Sequence, residues 1–378
     1  MKTKRLFSLF ILITFLSISY AQDYTSETIQ HDGLTREYSI YVPSSYDGTK
    51  NYPLLFNLHG GGGTNSVWQA ASDMRPIADT ADFILVYPQA LPDPSDGNSF
   101  NWIPKVQGTF DDVPFFSSLI DMIASNYLID QNRIYACGYS LGGDMTFELG
   151  CKLNNRIAAI APVARTMQAD PNNFCSPVHP TGVLTILGTD DLVSPYNGIV
   201  FGGIEYYISA AATHEYWVTQ NNCNATATMI NISPSVERYT WSTGSGCAYV
   251  EELKVIGGGH DWPGSFGNMT IDANEEIWQF VSKYDIDGLI GCTTTSINEN
   301  NSSQENYKVY PNPLNSQLTI EFKIAKEKEF KIFSTVGKLV SSGRLNSNIN
   351  TIDISSLPPN VYVLNIDNHS INLRFDEK

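Results

Sequence analysis

Arg133-Ile134-Tyr135-Ala136-Cys137-Gly138-Tyr139-Ser140-Leu141-Gly142-Gly143 is the stretch that decides the reading of this chain. The run RIYAC is short, apolar and β-prone, and Leu141 to Leu153 has the spacing of a helix. Between them lies Gly138-Tyr139-Ser140-Leu141-Gly142, a G-x-S-x-G sequence. Between a strand and a helix this pattern forms a turn so tight that only glycine fits two residues either side of the serine. The turn lifts the serine hydroxyl above the sheet, and the helix N-terminus behind it favours developing negative charge. Ser140 is therefore the candidate nucleophile.

Working outward, strands and helices alternate from residue 22 to about residue 292. Leu54 to Leu58, Asp82 to Tyr87, Arg133 to Cys137, Ile157 to Val163, Val183 to Leu187 and Tyr249 to Ile256 read as buried strands. Phe115 to Tyr127, Leu141 to Leu153, Tyr206 to Gln220 and Asn274 to Lys283 read as helices. This alternation predicts an α/β fold, a mostly parallel sheet flanked by helices. Glu27 to Tyr41 is expected to add antiparallel strands at one edge. After Cys292 the composition changes. Residues 293–306 are polar and read as a linker. Residues 307–378 carry short alternating strands with turn signals and predict a small all-β, sandwich-like module.

A serine nucleophile needs a base and an acid to orient it, and in this strand-turn-helix arrangement they follow in the order serine, acid, histidine. Six histidines are present. His369 lies in the C-terminal module and His214 within a helical stretch. His260 sits on a loop after the strand EELKVI, inside Gly257-Gly258-Gly259-His260-Asp261-Trp262-Pro263-Gly264, and is the candidate base. Asp190 and Asp191 both follow the strand VLTILG directly, and spacing does not choose between them. The oxyanion hole needs two backbone N–H donors. Leu141 supplies one. The other is expected from the glycines after His59, near Gly61. No Gly-Lys-Ser/Thr follows that run, which excludes a phosphate loop.

The chain has 378 residues, 39 acidic against 23 basic, and a formal net charge of −16. That balance argues against nucleic acid as a partner. Lys2, Lys4 and Arg5 precede an apolar run from Leu6 to Ile18, and Ser19-Tyr20-Ala21 ends in small residues. Residues 1–21 thus read as a signal peptide, with no later transmembrane span. The six cysteines of an exported chain permit disulfides, and none of their spacings is that of a zinc pair.

LHGGGG (Leu58–Gly63), DDVPF (Asp111–Phe115), the elbow itself, LGTDDLVSPYNG (Leu187–Gly198) and GGGHDWPG (Gly257–Gly264) occur in that order. Together they resemble the secreted polyhydroxybutyrate-depolymerase-like and feruloyl-esterase-like hydrolases related to carbohydrate esterase family one. The resemblance covers roughly residues 30 to 285. It implies an α/β-hydrolase fold and a serine esterase needing no metal or organic cofactor. It selects Asp191 as the acid and supports His260. The family often has His where Leu187 stands and Asn where Leu141 stands, which bears on substrate preference. The implied substrates are feruloyl or acetyl esters on plant polysaccharide, with polyhydroxyalkanoate as the alternative. Trp262, Trp102 and Tyr139 are candidate substrate contacts. The resemblance also implies a Cys223–Cys247 disulfide, then Cys151–Cys175, with Cys137 a packed thiol. A non-catalytic carbohydrate-binding protein on the same fold would predict a broken triad, and every member is present.

Val309-Tyr310-Pro311-Asn312-Pro313, FSTVGKLV (Phe333–Val340) and IDISSLPPNVYVLNI (Ile352–Ile366) resemble the sorting domain of the type IX secretion system. That implies export through that machinery, to the medium or the cell surface. A small adhesive module is the alternative.

Overall fold

The computed structural model describes residues 23–103, 110–242, 247–292, 307–310, 317–322, 327–334, 338–355, 357–358, 361–366 and 369–374. The expected signal peptide (1–21) and linker (293–306) lie outside the described residues. The chain divides into two compact units, Met1–Cys292 and Thr293–Lys378.

The first unit is built on a ten-stranded sheet. Its strands are β1 (Thr25–His31), β2 (Leu34–Tyr41), β3 (Tyr52–Leu58), β4 (Ile84–Pro88), β5 (Ile129–Tyr139), β6 (Ala159–Val163), β7 (Gly182–Gly188), β8 (Thr228–Ser233), β9 (Val236–Trp241) and β10 (Val250–Val255). Their spatial order is β1-β2-β4-β3-β5-β6-β7-β10-β9-β8. The strands from β4 to β10 in that order pair in parallel, and antiparallel strands close both edges. The mostly parallel sheet is what the alternation of elements predicts, and the arrangement is the α/β-hydrolase one that the resemblance implies.

Helices α1 (Asn65–Ala71), α2 (Arg75–Ala81), α3 (Asp112–Asn126), α4 (Leu141–Lys152), α5 (Ala210–Gln220) and α6 (Ala273–Val281) cover the sheet. Successive residues of β3 point to opposite faces. Leu54, Phe56 and Leu58 enter one core with Phe116, Leu119 and Met145. Leu55 enters the other with Tyr87, Leu184, Ile277 and Trp278. Each fully buried side chain of this kind contributes about 1.5–3 kcal/mol by leaving water. The DDVPF motif has a structural use here. Asp111 caps α3 by accepting from Val113 N–H, and buried Asp112 pairs with Arg36 of β2 at 2.6 Å.

Two expectations are corrected. The helix expected from Tyr206 starts at Ala210, because Ser209 caps it through Ala212 N–H. Tyr206 and Tyr207 belong instead to a hairpin, Ile199–Phe201 with Ile204–Tyr207. Cys151 and Cys175 are bonded, but Cys247 is bonded to Cys292 rather than to Cys223. Cys223 lies three residues after α5 and its thiol donates to the Ala248 carbonyl. Cys247 has a left-handed backbone (φ 52°), and its Cα lies 6.1 Å from that of Cys292, within disulfide reach.

In the second unit, β11 (Tyr307–Tyr310), β12 (Gln317–Phe322) and β15 (Ile349–Asp353) form one sheet. The other comprises β13 (Lys328–Ser334), β14 (Leu339–Leu345), β16 (Val361–Ile366) and β17 (His369–Arg374). Leu318, Ile320 and Phe322 of one sheet pack with Ile332, Leu364 and Ile366 of the other. Among the described residues, no helix is long and apolar enough to cross a membrane.

Candidate active site

The parallel register brings the carboxyl ends of five strands to one edge. Leu58 pairs with Gly138, Tyr139 with Val163, Val163 with Ile186, and Gly188 with Val255. The loops leaving this edge carry His59 to Gly63, Ser140, Arg165, Asp191 and His260. Ligands of open α/β sheets bind at such strand ends.

Ser140 has φ 54° and ψ −117°, a strained conformation for a residue with a side chain. Its N–H is held by the Val163 carbonyl at 3.0 Å. The flanking glycines are a packing requirement. A β-carbon on Gly138 would collide with the Gly142 carbonyl, and one on Gly142 with the Leu58 carbonyl. Leu141 opens α4, so its N–H is among the donors that have no acceptor within the helix.

Asp191 is 4% exposed and Asp190 lies in solvent. Asp191 Oδ2 accepts from His260 Nδ1 at 2.7 Å, while its Oδ1 accepts from the N–H groups of Val193 (2.8 Å) and Ser194 (2.7 Å). Burial alone would raise this carboxyl. The hydrogen bonds from His260, Ser194 and Val193 outweigh burial and hold its pKa below the ordinary carboxylate range. With a carboxylate on Nδ1, the imidazole keeps Nε2 as its acceptor. The Tyr139 hydroxyl donates to the His260 carbonyl at 2.7 Å, and the Tyr139 ring stacks on Trp68.

The glycine run is held by buried groups. His59 Nε2 accepts from Ala90 N–H at 3.1 Å, so Nδ1 carries the proton and donates to the Gly60 carbonyl at 2.7 Å. Burial pushes the His59 pKa down to about 4, which keeps the ring neutral. The Gly62 and Gly63 N–H groups are engaged by the Phe100 and Gly60 carbonyls. Gly61 lies against Leu141: a methyl group added there would fall 2.6 Å from Leu141 Cδ1.

The expected substrate contacts need correction. Trp102 is 1% exposed and Trp262 is fully buried. Trp102 donates from its indole N–H to the His59 carbonyl at 2.9 Å, and Trp262 donates to Asn274 while packing edge-on against Trp68. Their rings are filled on all sides, so they support the loops instead of lining a cleft. Tyr139 is half-buried and its hydroxyl is committed to His260. Two further supports were not foreseen. Asp144, in the first turn of α4, pairs with Arg165 at 2.5 Å and accepts from Tyr207 at 3.0 Å, which roots the hairpin beneath the elbow. Tyr196, at the end of the Asp191 loop, donates to Glu252 of β10 at 2.6 Å. The signal for both was a carboxylate, Asp144 or Glu252, inside a buried element.

Residues 308–374 match the model of the secretion system C-terminal sorting domain, which marks the chain as an exported protein, extracellular or on the cell surface. The chain is similar to the bifunctional acetylxylan esterase/xylanase XynS20E of Neocallimastix patriciarum, with 30% identity over 70% of this chain and 36% of that one. It is also similar to feruloyl esterase B of Piromyces equi, with 30% identity over 66% of this chain and 46% of that one. The chain spans less than half the length of both curated relatives. Among solved structures, an acetyl xylan esterase from Aspergillus awamori matches 68% of this chain and 99% of its own at 12% identity, with a TM-score of 0.48.

Proposed function

We propose that the protein is an exported serine esterase that hydrolyses carboxylic esters through Ser140, His260 and Asp191. The observation that carries this reading is the 2.7 Å bond from His260 Nδ1 to buried Asp191, on loops from the same sheet edge as the strained elbow of Ser140. His260 Nε2 takes the Ser140 proton as Oγ attacks the ester carbonyl. The Leu141 and Gly61 N–H groups receive the oxyanion, the latter because Gly62 and Gly63 are already engaged. His260 returns the proton to the leaving alcohol, leaving an acyl-enzyme. A water then loses its proton to His260 as its oxygen attacks the acyl carbon, and His260 passes that proton to Ser140 Oγ as the acyl–oxygen bond breaks and the acid leaves. The chemistry needs no metal or organic cofactor.

Feruloyl or acetyl groups on plant polysaccharide are the proposed substrates, supported by the names of the two relatives. A second reading, a polyester such as a polyhydroxyalkanoate, is favoured by one observation. Leu192, 92% exposed, directly follows Asp191, and Val200, Phe201 and Ile204 of the hairpin are exposed with it. The sorting domain is proposed to engage the type IX secretion machinery. The test is hydrolysis of methyl ferulate, acetylated xylan, a polyhydroxybutyrate film and p-nitrophenyl esters, with Ser140→Ala as control. Ser140-dependent turnover centred on ferulate or acetylxylan supports the first reading, and film clearing supports the second. No Ser140-dependent turnover on any of them overturns the esterase reading and favours a carbohydrate-binding protein.

A further inference from the structure

Glu252 is a carboxyl in the interior of the sheet, 3% exposed, and the mechanism does not use it. Five residues face it. Tyr196, from the Asp191 loop, donates to Oε1 at 2.6 Å. His214 of α5 brings Nδ1 to 3.7 Å from Oε2, and its Nε2 lies 2.8 Å from Thr185 Oγ1 on β7. Thr185 and Tyr239 flank Glu252 in the registers of β7 and β9. Lys254, two residues along the same strand, pairs with Glu237 instead. A carboxyl this deeply desolvated beside a histidine that burial keeps neutral is unfavourable unless it has a task.

Its place in the fold supplies one. Tyr196 lies five residues after Asp191, and Glu252 eight residues before His260. The near end of the acid's loop is fixed by Val193 and Ser194 N–H on Asp191 itself. The far end is fixed where Ala210 N–H meets the Tyr196 carbonyl and where the Tyr196 hydroxyl meets Glu252. The start of the acid's loop is tied to the histidine strand by Thr189 N–H to the Val255 carbonyl, Asp190 N–H to the Gly258 carbonyl and Gly257 N–H to Thr189 Oγ1. Beyond Asp191, of the bonds just named, the Tyr196–Glu252 bond joins the two.

We infer that Tyr196 and Glu252 are positioning residues, and that their hydrogen bond anchors the far end of the Asp191 loop to the strand that leads to His260. This rests on the triad reading above. Tyr196→Phe removes one oxygen and leaves the ring's packing. It should lower kcat about ten- to a hundredfold, since small misplacements of catalytic groups act on that scale. KM should stay within about twofold, because no substrate contact is lost. Glu252→Gln keeps an acceptor for Tyr196 and should retain most activity, whereas Glu252→Leu should match Tyr196→Phe. The double variant Tyr196→Phe/Glu252→Leu should be no worse than the lower single. The low-field proton resonance of His260 Nδ1–H should weaken or shift in Tyr196→Phe and stay put in Glu252→Gln, a change that loss of stability alone does not produce. Wild-type kcat in Tyr196→Phe would overturn the inference, as would Glu252→Gln falling as far as Glu252→Leu. If Glu252→Leu fails to fold, Tyr196→Phe and Glu252→Gln still decide. Ser140→Ala runs beside them. Activity surviving in Ser140→Ala would overturn the triad reading itself, whereas Ser140-dependent activity with an unimpaired Tyr196→Phe overturns only this inference.

Discussion

The Tyr139 hydroxyl reaches over its own strand end to donate to the main-chain oxygen of His260 at 2.7 Å. The residue before the proposed nucleophile thus holds the loop of the residue proposed to activate it. Tyr139→Phe keeps the stack on Trp68 and loses this bond. Stability should fall by about 1 kcal/mol. The rate constant kcat for a p-nitrophenyl ester should fall about tenfold with little change in KM, as expected for a misplaced base. Thermal denaturation and steady-state kinetics on the same preparation check both.

The two adjacent aspartates make a sharp contrast. Asp191 is buried on His260, and Asp190 is in solvent. Asp191→Asn should lower kcat/KM about 10³- to 10⁴-fold, and Ser140→Ala or His260→Ala by at least as much. Asp190→Asn should stay within about threefold of wild type. The reverse order for the aspartates would move the acid to Asp190.

Trp102 tests whether a buried aromatic near the site supports a loop or touches substrate. Trp102→Phe leaves the buried His59 carbonyl without its indole donor and should cost about 1–3 kcal/mol of stability. Activity should fall in kcat, through the glycine run, with KM preserved. A raised KM with unchanged kcat would return Trp102 to the substrate contacts.

Glu252 gives stability a pH dependence of defined sign. Burial raises its carboxyl from 4.5 to about 7, against opposing effects of the Tyr196 hydrogen bond and Lys254, and with Glu237 adding to the rise. The native state keeps a proton that the unfolded chain has released, so stability falls as pH rises from about 4.5 through 7. His214, pushed down to about 3 by burial, stays neutral throughout that window. Glu252→Gln cannot ionise. Relative to wild type it should gain about 2–3 kcal/mol between pH 5 and pH 8, read by urea denaturation at the two values.

The strands beside the elbow were legible because parallel strands buried on both faces read as apolar runs, and their order fixes which loops meet at one edge. Thus Ser140, His260 and the Asp190/Asp191 pair could be named from pattern. Other features were hidden for identifiable reasons. The strands β8 and β9 lie at an exposed edge, where Thr228 to Ser233 has neither a buried face nor clear alternation. The hairpin ending at Tyr207 was read as the start of α5 because nothing punctuates Tyr206 to Ser209 except the serine cap. Trp102 and Trp262 were expected in a cleft because proximity in sequence to a site says nothing about which way a ring points. The Cys247–Cys292 bond joins residues 45 apart in sequence, a pairing no spacing rule supplies.

That bond has a consequence for the life of the exported chain. Cys292 is the last residue of the first unit, and the disulfide ties it back to Cys247, just ahead of the strand that leads to His260. A protease that cut between Cys292 and Tyr307 would therefore separate the sorting domain from a unit whose own end stays clamped. A new terminus made there would stay pinned through Cys292, so fraying would not run back from it into α6.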